Sequence, residues 1–230
     1  MNSPTTRARE SILSKIRKSI ADEASDNARR SAVVNRISAK PRVAAPQRVA
    51  APDTDLIERF KDELRRQLAT VIEAAAAAEI SPALAEYLRT NNQPLRVRHG
   101  ADAYLSLLDF QTTPGFEILK GRAAPDDSAG LSLAFAGIAE TGTMALTSGA
   151  DNPVTLGYLP DTHIIVVPRS RILATYEDAF ELLRRERGSQ PMPRTLNLIT
   201  GPSRTADIGG RIVIGAHGPR RLLAIIAGDL

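Results

Sequence analysis

The chain has 230 residues, 43% of them hydrophobic and 24% charged, a length and balance suited to one large globular domain with or without an appendage. Its formal charge of +4 is unevenly placed: residues 1–52 carry 11 Lys/Arg against 4 Asp/Glu, or +7, and the remainder carries 19 against 22, or −3. The lack of cysteine excludes disulfides, thiol nucleophiles and cysteine-held zinc or iron–sulfur clusters within the chain, and aromatics at 4% with no Trp disfavour a nucleic-acid surface on the folded body.

Ser3-Pro4 is a helix-start pair, and Ile12, Leu13, Ile16 and Ile20 then form one stripe among Arg, Lys and Glu. This predicts a short amphipathic helix over residues 1–20, which either folds back on its own chain or docks on a partner. Residues 21–52 are rich in Ala, Arg, Ser and Pro with little sustained periodicity, as in a flexible linker or arm. The N-terminus lacks the apolar core of a secretory signal, and no segment approaches the ~20 apolar residues that span a bilayer, so the chain is expected to be soluble and cytoplasmic.

A folded domain is expected over residues 53–230. Leu56, Ile57, Phe60, Leu64 and Leu68 recur at helical spacing, predicting a helix over about Thr54 to Leu68. EAAAAAEISPALAEYLRTNN reads mainly helical, restarted by Ser81-Pro82 and ended by Asn91-Asn92, its alanines suited to close helix packing. Short apolar segments follow, PLRVRHG, FEILKG, GLSLAFAGIA, TMALTS, HIIVVP, LNLIT, RIVIG and RLLAIIAG, which read as strands. Between HIIVVP and LNLIT, Thr175 and Asp178 make a capping pattern before a stripe of Tyr176, Ala179, Phe180 and Leu183, ending at Gly188. Strand, helix and strand in that order predict a parallel βαβ crossover, and the whole predicts a three-layer α/β open sheet with a basic N-terminal arm.

Ligands of such sheets gather at the carboxyl ends of strands, and three loops have suitable chemistry. In GIAETGTMAL, Gly142 lets backbone approach a ligand, Thr141 and Thr143 supply hydroxyls, and Glu140 is a base, nucleophile or hydroxyl acceptor; equally, the loop is a bend whose Thr and Glu satisfy backbone groups. In ITGPSRTADI, Ser203, Arg204 and Thr205 suit a carboxylate or phosphate, aided by any helical turn starting near Ser203, with Asp207 pairing with or aiming Arg204. The alternative is an N-cap with an internal Arg–Asp pair. In GAHGPRRLLAIIAG, His217 can transfer a proton and Arg220 can hold an anion, or His217 merely bonds a carbonyl in a turn. His163 reads as a strand-start residue with one satisfied nitrogen. No His/Asp/Glu spacing suits a metal, and no G-x-G-x-x-G or Walker loop marks a nucleotide site.

Taken in order, GIAETGTMAL, THIIVVPRSRI, TYEDAFELL, TGPSRTADI and GAHGPRRL resemble the lactate utilization protein C family, strongly from about Gly130 to Leu230, and RESILSKIRKSI is similar to that family's N-terminus. The resemblance implies a fold like that of the sugar-phosphate isomerase and coenzyme A transferase superfamily, and a role beside iron–sulfur partner proteins in oxidising L-lactate to pyruvate. On that reading Ser203, Arg204 and Thr205 hold the lactate carboxylate, and Glu140 or His217 accepts the hydroxyl proton. The redox step then lies on a partner or on a cofactor that the sequence does not announce, and the chain alone is expected to be inactive. Two other readings remain: an independent enzyme acting on a phosphorylated or acyl (coenzyme A type) substrate through Glu140, and a nucleic-acid binder using the basic arm.

Overall fold

A computed structural model of the chain describes residues 4–20, 23–51, 54–110, 113–208 and 210–228. The chain divides into two units, Met1–Ala44 and Ala45–Leu230. The first contains α1 (Pro4–Ile20) and α2 (Glu23–Ala39). Most of residues 21–39, expected as irregular linker, are therefore helical. No Pro or Gly interrupts them, and Arg30 Nε donates to Asp26 Oδ2 at 2.8 Å, a helical i,i+4 pair. The prolines that suggested a linker are Pro41, Pro46 and Pro52, beyond the end of α2. On α1, Ile12, Ile16 and Ile20 are exposed and Leu13 is half-buried.

The second unit opens with α3 (Gln47–Ala50) and α4 (Leu56–Arg66), the latter capped by Asp55, whose side chain accepts from the amides of Ile57 and Glu58. β1 (Thr70–Ala74) and α5 (Ala77–Thr90) follow. The expected helix from Glu73 is thus a strand, a turn and a helix. Ala75–Ala78 are exposed, and the close packing is at the turn, where a Cβ on Gly228 would lie 2.2 Å from the Ala75 carbonyl oxygen. Next come β2 (Arg96–His99), α6 (Ala103–Leu107), β3 (Glu117–Lys120), β4 (Ala129–Leu133), β5 (Ala136–Ile138), β6 (Thr143–Thr147), β7 (Thr162–Pro168) and β8 (Ile172–Leu173). The chain finishes with α7 (Tyr176–Arg187), β9 (Leu196–Ile199), the hairpin β10 (Arg204–Ile208) and β11 (Arg211–Ile214), and β12 (Arg221–Ala227).

Six strands form one parallel sheet in the order β1-β12-β7-β4-β2-β3. Its middle strands are covered on both faces, so THIIVVP is buried throughout and reads as a continuous apolar run. Alternation still sorts the side chains. Ile164, Val166, Leu223 and Ile225 meet Ile80, Leu84 and Leu88 of α5, whereas Ile165, Val167, Ala224 and Ile226 meet Phe60 and Leu64 of α4 with Met144 and Leu146 of β6. A second sheet, β8-β5-β6-β9, lies on this latter side, and its other face packs Ala136, Ile138 and Ala145 against Ala179 of α7.

The capping box of α7 is present in full: Thr175 Oγ1 accepts from the Asp178 amide, and Asp178 accepts from the Thr175 amide. Its buried stripe is Ala179, Leu182 and Leu183, with Phe180 exposed. The expected βαβ crossover does not occur. Pro168 ends β7, and the chain passes into β8 of the smaller sheet before α7 begins. β9 then pairs antiparallel with β6.

Candidate functional site

The turn between β5 and β6 is shaped from beneath by α4. Gly142 has φ +66°, and a Cβ there would lie 2.6 Å from the Leu64 backbone nitrogen, so both conformation and space require glycine. Thr143 is fully buried, with its hydroxyl 2.7 Å from those of Thr141 and Thr200 and 2.8 Å from that of Tyr176. Thr141 also meets Tyr176 at 2.8 Å. These hydroxyls satisfy one another and not the backbone groups that a simple bend would have them serve. The Glu140 amide donates to the Ala174 carbonyl at 3.0 Å. The Glu140 carboxylate, 15% exposed, accepts from Arg48 Nη2 at 3.0 Å, a partner that sequence spacing could not reveal.

The loop after β9 turns at Gly201, φ +121°, whose missing Cβ leaves room for the Gln67 carbonyl. Residues beyond it form the β10–β11 hairpin, so a strand and not a helical turn follows Ser203, and no helix amides add to the site there. Arg204 Nη2 donates to Gln67 Oε1 at 2.7 Å, and among the described residues its other guanidinium N–H groups have no partner. Asp207 lies in β10, and its side chain is outside the described residues. The Ser203 amide donates to the Pro219 carbonyl at 2.8 Å, and Ser203 Oγ accepts from the His217 amide at 3.3 Å. Among the described residues the Ser203 hydroxyl proton has no acceptor.

These contacts place Ser203, Arg204, Thr205 and His217 around one cavity of about 360 Å³. Glu140, Thr141, Gly142, Thr143 and Arg220 do not line it. Arg220 instead lays its stem over Gly215, where a Cβ would lie 2.1 Å from its Cγ, and its Nε stands 3.7 Å from Asp161 Oδ1. Because the His217 loop leads into β12, the cavity sits at the amino ends of β7 and β12, opposite to the expected end of the sheet. The carboxyl-end expectation holds for loops leaving a strand, and this loop enters one.

His163 completes the cavity wall. It is 2% exposed, with Nε2 3.0 Å from Ser132 Oγ and Nδ1 without a partner among the described residues. Burial holds its pKa down to about 4, so the ring is neutral near pH 7. The single satisfied nitrogen agrees with the sequence reading; its place on the cavity was not readable locally. Among the described residues no cluster of three or more His, Asp or Glu is placed to hold a metal ion.

Residues 57–227 match the LUD domain. The chain belongs to the LUD domain family. Lactate utilization protein C of Anoxybacillus flavithermus is 29% identical over 180 residues, covering 76% of this chain and 75% of that protein. Lactate utilization protein C of Bacillus subtilis is 33% identical over 109 residues, 47% of this chain and 45% of its own length. The crystal structure of a DUF162 family protein from Deinococcus radiodurans superposes with a TM-score of 0.58 at 27% identity, covering 76% of this chain and 97% of that one. The LUD match contains the whole cavity and both loops, whereas the basic helical unit falls outside it.

Proposed function

We propose that this LUD domain protein serves lactate utilization in the cytoplasm, as a subunit without a redox centre of its own beside iron–sulfur partner proteins. It contributes a site for a small hydroxy-carboxylate. The observation that carries the reading is the convergence of Ser203, Arg204, Thr205 and His217 on one cavity whose wall includes the neutral His163. Arg204, steadied by Gln67, offers its free N–H groups to the carboxylate, and the Ser203 hydroxyl donates beside it. His217, exposed at the rim, takes the hydroxyl proton. Oxidation of lactate to pyruvate releases two protons and two electrons. With no cysteine to bind a cluster here, the electrons pass to the partners. The relatives named lactate utilization protein C support the pathway. Among the described residues no helix is long and apolar enough to cross a membrane.

The test is reconstitution. The purified chain given L-lactate and a redox dye is expected to be inactive, and addition of the iron–sulfur proteins from the same organism is expected to create activity. Arg204→Ala should then lower that activity by about tenfold or more, and Arg204→Lys should restore only part, because Lys keeps the charge without the planar fork. Activity that is indifferent to Arg204→Ala would remove the cavity from the reaction. Normal growth on lactate after deletion of the gene would remove the protein from the pathway.

A further inference from the structure

A larger cavity lies elsewhere in the domain, at the carboxyl ends of β2 and β3. It measures about 940 Å³, and its lining is mostly apolar, with Ala101, Pro153 and Val154 contributing to the apolar wall and Lys120, Arg122 and Arg194 as its charged residues. Strand order reverses beside it: β2 leads outward to β3, and its neighbour β4 leads back towards β7. Open parallel sheets bind ligands at such a point, outside the carboxyl ends of the strands. A single 3-10 turn, Val154–Gly157, separates the two cavities, with Val154 and Thr155 on this one and Gly157 and Tyr158 on the other.

Every charged side chain on the lining is a cation, although residues 53–230 carry a net charge of −3. Lys120 and Arg122 lie at the end of β3, and Arg194 precedes β9. Lys120 Nζ stands 3.5 Å from Ser106 Oγ, on the lining of a neighbouring cavity, which leaves the two arginines for this one. Neither Arg122 nor Arg194 has a hydrogen-bond or ion-pair partner among the described residues. Asp151, whose carboxylate stands beside Gly149, is not on the lining.

The hydroxyls have the same polarity. Ser148 Oγ accepts from the Thr195 amide at 3.0 Å, and Thr155 Oγ1 accepts from the Ala123 amide at 2.9 Å. Each of these two hydroxyls, its oxygen already accepting, keeps a proton to donate. Two arginines without partners, with these hydroxyls, match several acceptor oxygens and two negative charges, more than one carboxylate carries. The volume and the apolar wall leave room for a body behind that head.

The geometry points to a second ligand site, between the β3 end and the loop before β9, for an organic phosphate with at least two negative charges on an apolar body. Its chemistry is separate from the Arg204 cavity and does not depend on the reading of that cavity. A nucleoside diphosphate is the simplest probe, with inorganic pyrophosphate reporting the head alone.

Calorimetric titration of the full chain with ADP and with pyrophosphate, at 150 mM salt, tests it. ADP is expected to bind saturably and more tightly than pyrophosphate. Arg122→Ala and Arg194→Ala should each weaken ADP by about tenfold or more, and the double variant should abolish binding. Both side chains are exposed, so the variants should melt at the parent temperature. Arg204→Ala should leave ADP affinity unchanged. Absence of saturable binding overturns the proposal, and so does binding that the double variant retains, since the anion would then sit on the basic helical unit or at Arg204. Equal affinity for ADP and pyrophosphate would overturn the role of the apolar wall.

Discussion

Thr143 Oγ1 lies 2.7 Å from Thr200 Oγ1, so a half-buried hydrogen bond ties the Glu140 turn to the loop that carries Arg204. Thr143 is also bonded to Thr141 and Tyr176, and Thr143→Val would keep its shape while taking a partner from the half-buried Thr200 hydroxyl; Thr141 and Tyr176 still bond each other. The expected cost is about 2 kcal/mol of unfolding free energy, measured by urea titration. A loss under about 0.5 kcal/mol would show that the cluster adds nothing to the fold.

Gly142→Ala should destabilise more than Gly115→Ala. Both glycines have positive φ, +66° and +78°, so both substitutions meet a backbone penalty of roughly 1–2 kcal/mol. Only at Gly142 does the new methyl also meet backbone, the α4 segment at Glu63 and Leu64, while at Gly115 nothing lies within 4 Å. The difference in thermal unfolding between the two variants isolates the packing of α4 under the turn. Equal losses would mean that α4 gives way.

His163 predicts an acid sensitivity. Burial lowers its pKa from 6.5 to about 4, so the neutral ring's contribution to stability is complete above pH 6.5 and is lost as pH falls towards 4. In that window the unfolded chain takes up a proton that the folded chain refuses. Between pH 6.5 and 5 the parent should lose about 2 kcal/mol more than His163→Gln, read from urea titrations at each pH. His99, also buried and lowered by desolvation, keeps a residual slope in the variant. Identical pH profiles for parent and variant would contradict the buried neutral ring.

The pair of Arg48 and Glu140 should behave as a structural tie. Arg48 is half exposed, so a double-mutant cycle of Arg48→Ala with Glu140→Gln is expected to give a coupling below about 1 kcal/mol. Lactate oxidation by the reconstituted assembly should change little with Glu140→Gln, because Glu140 does not line the Arg204 cavity. A tenfold loss of activity without loss of assembly would return Glu140 to the reacting centre.

What the sequence determined by itself was local. The capped helix Tyr176–Arg187, the amphipathic helix Leu56–Arg66 and the buried strands HIIVVP and RLLAIIA are legible because cap and stripe join residues three or four apart and strands alternate by two. The glycine, hydroxyl and arginine content of the loops was equally plain. Only the tertiary structure decided which loops meet. Thr143 finds Thr200 across 57 residues and Arg204 finds Gln67 across 137, and such pairings leave no periodic trace in either segment. The same holds for β9, which an αβ pattern assigns to the parallel sheet but which pairs with β6 instead. The passage of the chain after Pro168 into the smaller sheet and the approach of α4 beneath Gly142 and Gly201 depend on how whole elements stack. That stacking puts Arg204 and His217 in one cavity, takes Glu140 out of it, and adds His163, whose burial sets its charge.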